Sequence, residues 1–137
     1  MCWTLGVVSD LPADRIDRLA REEIAWCVTV RPDDSPHLTP VWFLFRADTW
    51  WESSAARNKK VRNIAVDPRV SLALEDGRAP TVAEGLALIH RDLFPAEVRS
   101  GFARKYHGWD ITAAGPEAPR VLLEVPVSRW LLAGVAR

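Results

Sequence analysis

Apolar positions near the start of the chain recur at helical spacing and then give way to short β-branched and aromatic runs. Ile16, Leu19, Ala20 and Ile24 lie three or four apart, which predicts a helix over 9–24 with one apolar face. Ser9 or Asp10 can cap it, and Pro12 suits its first turn. Residues 25–31 (AWCVTVR) predict a strand, and Pro32-Asp33-Asp34-Ser35 is turn chemistry. Residues 36–45 (PHLTPVWFLF) resume as a strand, so the two runs form a hairpin. Pro36 and Pro40 have no N–H to donate to a ladder, and Pro40 therefore marks a bulge or a sheet edge.

Arg46-Ala47-Asp48 predicts a second turn, followed by a strand over 49–53 (TWWES). Residues 55–66 predict a helix with Val61, Ile64 and Ala65 inward, stopped at Asp67-Pro68. Residues 69–75 alternate cleanly as a strand. After a loop over 76–80, residues 81–90 predict a strand with a bulge at Gly85. Residues 95–106 predict a helix opening on Pro95. The last strand runs over 120–126, with 128–132 able to extend it. The expectation is one domain over 1–137, mainly β (α+β). It has about six antiparallel strands closing a barrel, with two or three flanking helices on its outside or ends.

Composition narrows the function. The 137 residues carry a formal net charge of zero, which argues against general nucleic-acid binding. The two cysteines, Cys2 and Cys27, are far apart and suggest neither a disulfide framework nor a metal site. No run is long and apolar enough for a membrane span, and Met1 to Ser9 lacks a signal-peptide pattern. A cytoplasmic protein is expected. Two biases remain. There are 15 Arg but only 3 Lys, two of them adjacent at Lys59 and Lys60, and there are seven Trp, much flat apolar surface for a core, an interface or a planar ligand.

The stretch most suggestive of chemistry is Ser53-Ser54-Ala55-Ala56-Arg57-Asn58-Lys59-Lys60-Val61-Arg62-Asn63, where a strand ends and a helix begins. Free amides and the helix dipole favour an anion at such a junction. Ser53 and Ser54 add hydroxyls, and Arg57, Lys59, Lys60 and Arg62 add four positive charges. The plain alternative is a solvated basic face, but cations in a first turn oppose the helix dipole unless an anion is present. In the Pro-interrupted strand, Thr39 and Trp42 offer a place for a planar ring; a simple hairpin strand with Val41 and Phe43 in the core serves equally well. His37 reads as a surface residue rather than an acid or base. In Tyr106-His107-Gly108-Trp109-Asp110, Gly108 and the polar loop after it point to an exposed lid or subunit contact more than to core packing. No Ser-His-Asp, HExxH, GxGxxG or Walker pattern is present.

The run SPHLTPVWF, a short aromatic strand and then SSAARNKKVRNIAVDPRVSLALED together resemble the pyridoxamine 5′-phosphate oxidase-like flavin and deazaflavin oxidoreductases. The resemblance spans about residues 12–126 and implies a split β-barrel, with FMN or the deazaflavin coenzyme F-420 in a groove between two subunits of a homodimer. It assigns the cofactor phosphate to Ser53, Ser54, Asn58, Lys59, Lys60 and Asn63, with Arg57 among the same cations. It lays the tricyclic ring along His37, Thr39, Pro40, Val41 and Trp42, and gives Trp109 and Trp130 to completing the groove. The extra substrate-phosphate residues of true pyridoxamine phosphate oxidases are missing, so that activity is not expected. The implied function is hydride transfer between F-420 or FMN and a small organic substrate. No side chain is assigned as catalytic and no metal is implied. The alternative is a non-catalytic carrier of FMN, F-420 or heme.

Overall fold

The computed structural model describes residues 11–134. The expected caps Ser9 and Asp10, and Cys2, lie outside that range. Helix α1 (Ala13–Arg21) is shorter than its apolar spacing predicts. Pro12 holds the N-cap position, and the chain turns extended at Glu22. Leu19 is buried, but Ile16 and Ala20 are exposed, and Arg18 takes the inward position instead. Its guanidinium pairs there with Glu22 at 2.7 Å and donates to the carbonyl of Ala79 at 2.7 Å, while Nη2 has no protein partner; the pairing is what lets a charge replace an apolar residue.

Strands β1 (Ala25–Val30) and β2 (Pro36–Val41) form the expected hairpin, with Cys27 opposite Thr39 and Thr29 opposite His37. The predicted strand over 36–45 is in fact two. It breaks at Trp42-Phe43 and resumes as β3 (Leu44–Arg46), which pairs with β4 (Thr49–Ala55). Ala47 and Asp48 make the tight turn between them, both at positive φ (50° and 59°), the geometry a two-residue hairpin loop demands. Helix α2 (Lys59–Val66) starts four residues later than predicted, because Ala55 still pairs with Arg120 and the amide of Ala56 bonds the Pro119 carbonyl at 2.9 Å. Val61 and Ile64 are buried as expected, whereas Ala65 is exposed.

Strand β5 (Arg69–Leu74) pairs with both β1 and β6 (Val82–Leu86). The expected strand over 81–90 is divided into β6 and β7 (Leu88–His90), and the register shifts between Glu84 and Gly85. A Cβ at Gly85 would collide with the Pro126 carbonyl oxygen, so this bulge needs glycine. Helix α3 is Ala96–Lys105, with Pro95 as its N-cap. Strand β8 (Arg120–Leu131) runs unbroken, pairing first with β4 and β7 and then with β6.

The described residues thus form eight strands, in one curled antiparallel sheet ordered β2-β1-β5-β6-β8-β4-β3 with β7 also on β8, and three helices. This is a mainly β split barrel. Its interior is filled by Cys27, Phe43, Trp50, Leu72 and Leu123, with Val61 and Ile64 of α2. A second cluster lies on the outer side of β4 and β8, where Val98 and Phe102 of α3 pack with Trp51, Ile111 and Leu122. Tyr106 belongs to this cluster and is only 4% exposed, so it is core rather than lid. The two ends of the sheet, β2 and β3, meet at the Trp42-Phe43 link. There the Tyr106 hydroxyl accepts from the Phe43 amide at 2.9 Å and lies 2.9 Å from the Phe43 carbonyl and 2.8 Å from the Glu23 carbonyl. Burial pushes that phenol up to about 12. No helix among the described residues is long and apolar enough to cross a membrane.

Candidate functional site

Beside this link the end of β4, the turn into α2 and the end of β2 enclose an open cleft of about 300 Å³. Glu52, Ser53, Ser54, Ala55, Asn58 and Lys60 form one side. Pro40, Val41, Trp42, Trp109, Glu117 and Arg120 form the other. Strand alternation explains the first side: Glu52 shares the inward face of β4 with Trp50, while Ser53 points outward with Trp51.

Asn58 sits at the N-cap of α2 but does not cap it. Its side-chain amide instead donates to Ser54 Oγ at 2.9 Å. The first turn also carries no acidic residue. The leading amides of α2, which have no partner within a helix, are therefore not satisfied by a capping side chain, and the positive end of its dipole is unopposed.

Lys60 is not a free surface cation. Its ammonium pairs with the Glu52 carboxylate, and the two side chains keep only 13% and 6% of their exposure. Burial raises the Glu52 carboxyl above the usual range, and Lys60 opposes that rise. Next to Glu52 lies the Cys27 thiol, held well above its ordinary value by burial and then by the Glu52 charge. Arg57 turns outward, donating to the carbonyls of Pro116 at 2.5 Å and Ala118 at 3.4 Å.

Facing this polar side is an aromatic wall. Trp42 stacks on Tyr106 with ring centroids 4.5 Å apart and meets the edge of Trp109 at 5.2 Å. The guanidinium of Arg120 lies 5.2 Å over Trp109 and donates to Ser53 Oγ at 3.2 Å. Trp42 remains 46% exposed although its ring is stacked, and it lines the cleft.

Of the residues singled out from sequence, Pro40, Val41, Trp42, Ser53, Ser54, Asn58, Lys60 and Trp109 line this one cleft. His37, Thr39, Arg57, Lys59 and Asn63 do not. His37 Nδ1 and Thr39 Oγ1 are buried on β2 without a protein partner. Burial, then Arg31, Lys59 and Lys60, lowers the His37 imidazole below its ordinary value. Asn63 is 1% exposed and donates to Thr29 Oγ1 at 3.0 Å, deep in the core. Trp130 packs against the interior aromatic residues instead, with its ring 5.7 Å from Phe45.

Sequence reasoning missed Glu52, Glu117 and Arg120. Glu52 left a signal: a carboxylate at an inward position of an aromatic strand requires a buried partner. Arg120 and Glu117 left none, since only the tertiary fold brings the β8 start to the β4 end.

The sequence pattern of the pyridoxamine 5′-phosphate oxidase family matches residues 14–133. No curated protein sequence gives a significant match. Among solved structures, an F420 reductase superposes with a TM-score of 0.72 at 23% identity, covering 88% of this chain and 98% of its own. HutZ, the heme storage protein of Vibrio cholerae, gives 0.71 at 16% identity, covering 90% and 96%. An FAD-binding protein of Mesorhizobium loti gives 0.64 at 17% identity, covering 88% and 90%. At these identities the likeness is one of fold, whereas the family match spans most of the chain. The chain belongs to the pyridoxamine 5′-phosphate oxidase family.

Proposed function

We propose that the protein is a flavin- or deazaflavin-dependent oxidoreductase that holds the phosphate of F-420 or FMN in the cleft between β4, α2 and β2. The observation that carries this reading is the uncapped start of α2 beside Ser53, Ser54, Asn58 and Lys60, in one cleft with the half-exposed Trp42. Amides, hydroxyls and a cation suit a phosphate, and a stacked indole suits a planar ring. Arg120 adds a second cation at the same cleft. A bound flavin or deazaflavin supplies hydride transfer to a small organic substrate. The chain's own part is to anchor the phosphate, orient the ring against Trp42 and limit water. Titrating the purified protein with FMN and with F-420, followed by absorbance and fluorescence, tests the reading. Saturable binding of one of them is expected, and binding of neither overturns it. A cofactor carrier would bind without turnover, so steady-state assays with candidate acceptors separate the two functions.

His37 stands outside the cleft lining, and the reaction needs positioning more than a protein acid. His37→Gln is therefore expected to leave turnover within about tenfold, short of the 10²–10⁴-fold typical of a lost general acid or base. A thousandfold loss with intact cofactor affinity would make His37 the catalytic acid.

The reading also includes a homodimer. On the outer face of the β1–β2 hairpin, Trp26 pairs with Pro40 and Val28 with Leu38. Trp26 and Leu38 are 37% and 57% exposed, and Trp42 continues the patch to the cleft. A contiguous apolar face of this kind is covered in most proteins. Light scattering is expected to give the mass of two chains, and a single-chain mass would overturn the shared-groove arrangement.

A further inference from the structure

The cleft already contains an anion of its own. Glu52 is 4% exposed and lines the same space as Ser53, Ser54, Asn58 and Lys60. Its neighbours can be named element by element. From β1 comes the Cys27 thiol, and from α2 the Lys60 ammonium. His37 of β2 interacts with the Lys59 and Lys60 charges. Arg120 at the start of β8 bonds Ser53 rather than Glu52, and Glu117 lies at the rim. Among the described residues Lys60 is the one cation in contact with the Glu52 carboxylate.

The two roles open to Lys60 therefore compete. With the cleft empty, its ammonium neutralises Glu52. With a phosphate present, the same ammonium meets a second anion, which brings up to two further negative charges beside the buried Glu52 carboxylate. Arg120 is engaged by Ser53, so Glu52 and the phosphate draw on the same ammonium, and screening is weak for the buried carboxylate. The simplest relief is neutralisation of the group that is already buried.

We infer that Glu52 couples occupation of the cleft by a phosphate-bearing ligand to uptake of one proton from solvent, the carboxylate becoming a carboxylic acid as the Lys60 ammonium turns to the phosphate. The neutral acid carries no charge beside the Cys27 thiol, so no buried charge is left unpaired. This inference rests on the cofactor reading above and gives Glu52 the task of setting how binding responds to pH. Burial already holds the Glu52 carboxyl above its ordinary range, so the step starts from a group predisposed to take the proton. It also accounts for a carboxylate in a phosphate site, where an isolated anion would only repel the ligand.

The test is calorimetric titration of FMN and of F-420 into the whole protein, in buffers of different ionisation enthalpy, at several values between about pH 5 and 8, a range spanning the second ionisation of the FMN phosphate monoester near 6. Protons bound per ligand are compared between wild type and Glu52→Gln, which keeps the shape of the side chain. Ionisation of the free ligand is common to both and cancels. His37→Gln is run in parallel to remove that imidazole's contribution. The wild type is expected to take up more protons than Glu52→Gln, by up to one per ligand. Its affinity is expected to fall by up to about tenfold per pH unit where coupling is complete, while the variant's dependence is flatter. Infrared difference spectra of the wild type supply a second readout that needs no variant: the C=O stretch of a protonated carboxyl should appear on binding. Binding with equal proton uptake in both proteins, or without that band, overturns this inference and leaves the cofactor reading standing. Binding of neither ligand overturns the cofactor reading, and this inference with it.

Discussion

Lys60→Met is expected to destabilise the protein by about 3–5 kcal/mol, the usual cost of removing one partner from a buried ion pair. The result would show as a lower urea midpoint at neutral pH. Lys60 reads in the sequence as one of several cations on a basic helix start, where its loss would weaken ligand binding and leave the fold intact. Its pairing with Glu52 inside the barrel changes that expectation. Without Lys60, the Glu52 carboxylate has no cation and must either stay charged in poor solvent or bind a proton. The pH dependence follows. Burial raises the folded-state carboxyl, so the folded form binds the proton more readily than the unfolded form. Stability of the variant should be highest below the unfolded carboxyl range, about 4.3, and should fall as pH rises toward the raised folded value. The double variant Lys60→Met/Glu52→Leu should recover much of the loss, since an apolar pair of similar volume often replaces a buried ion pair at no net cost. A loss under about 1 kcal/mol for Lys60→Met would mean that the pair behaves as a solvated surface bridge.

Trp50→Ala should cost a similar amount, about 3–5 kcal/mol, through lost burial and the cavity left behind. Trp50 is 1% exposed, and its ring lies 4.8 Å from Phe43, 5.7 Å from Phe45 and 6.3 Å from Trp130. These aromatic side chains come from the Trp42-Phe43 link, β3, β4 and β8, so the truncation loosens those elements together. Thermal unfolding measures the effect. Trp50→Phe provides the control. It keeps most of the ring and removes an indole N–H that has no protein partner, so its cost should be a small fraction of the alanine variant's.

Much of this architecture could be read from the chain itself, for reasons that differ by element. Alternation marked β5, turn residues marked the β1–β2 hairpin, and Gly85 marked the bulge, because each depends on neighbours in sequence. The split of 36–45 could not be read that way. Trp42 and Phe43 fit a strand well, and only the Tyr106 hydroxyl, 63 residues away, supplies the partners that let the ladder stop there. Ile16 and Ala20 fit a buried helix face, but Arg18 took the inward place by finding the carbonyl of Ala79. The site divides similarly. Ser53, Ser54, Asn58 and Lys60 form one local run and were legible together. Arg120 reaches them only through the β4–β8 register.

The break at Trp42-Phe43 has a kinetic meaning as well. Elsewhere around the barrel, parting two strands ruptures a ladder of backbone bonds. At this link the Phe43 backbone is held by one phenol, so displacing the Tyr106 side chain would release both Phe43 backbone groups at once. Transient opening should therefore cost least here, and the Phe43 amide should exchange with deuterium far sooner than its burial suggests. The same displacement would unstack Trp42 from Tyr106. The break in the barrel and the aromatic wall of the cleft thus share Tyr106, and a ring bound against Trp42 would hold both in place.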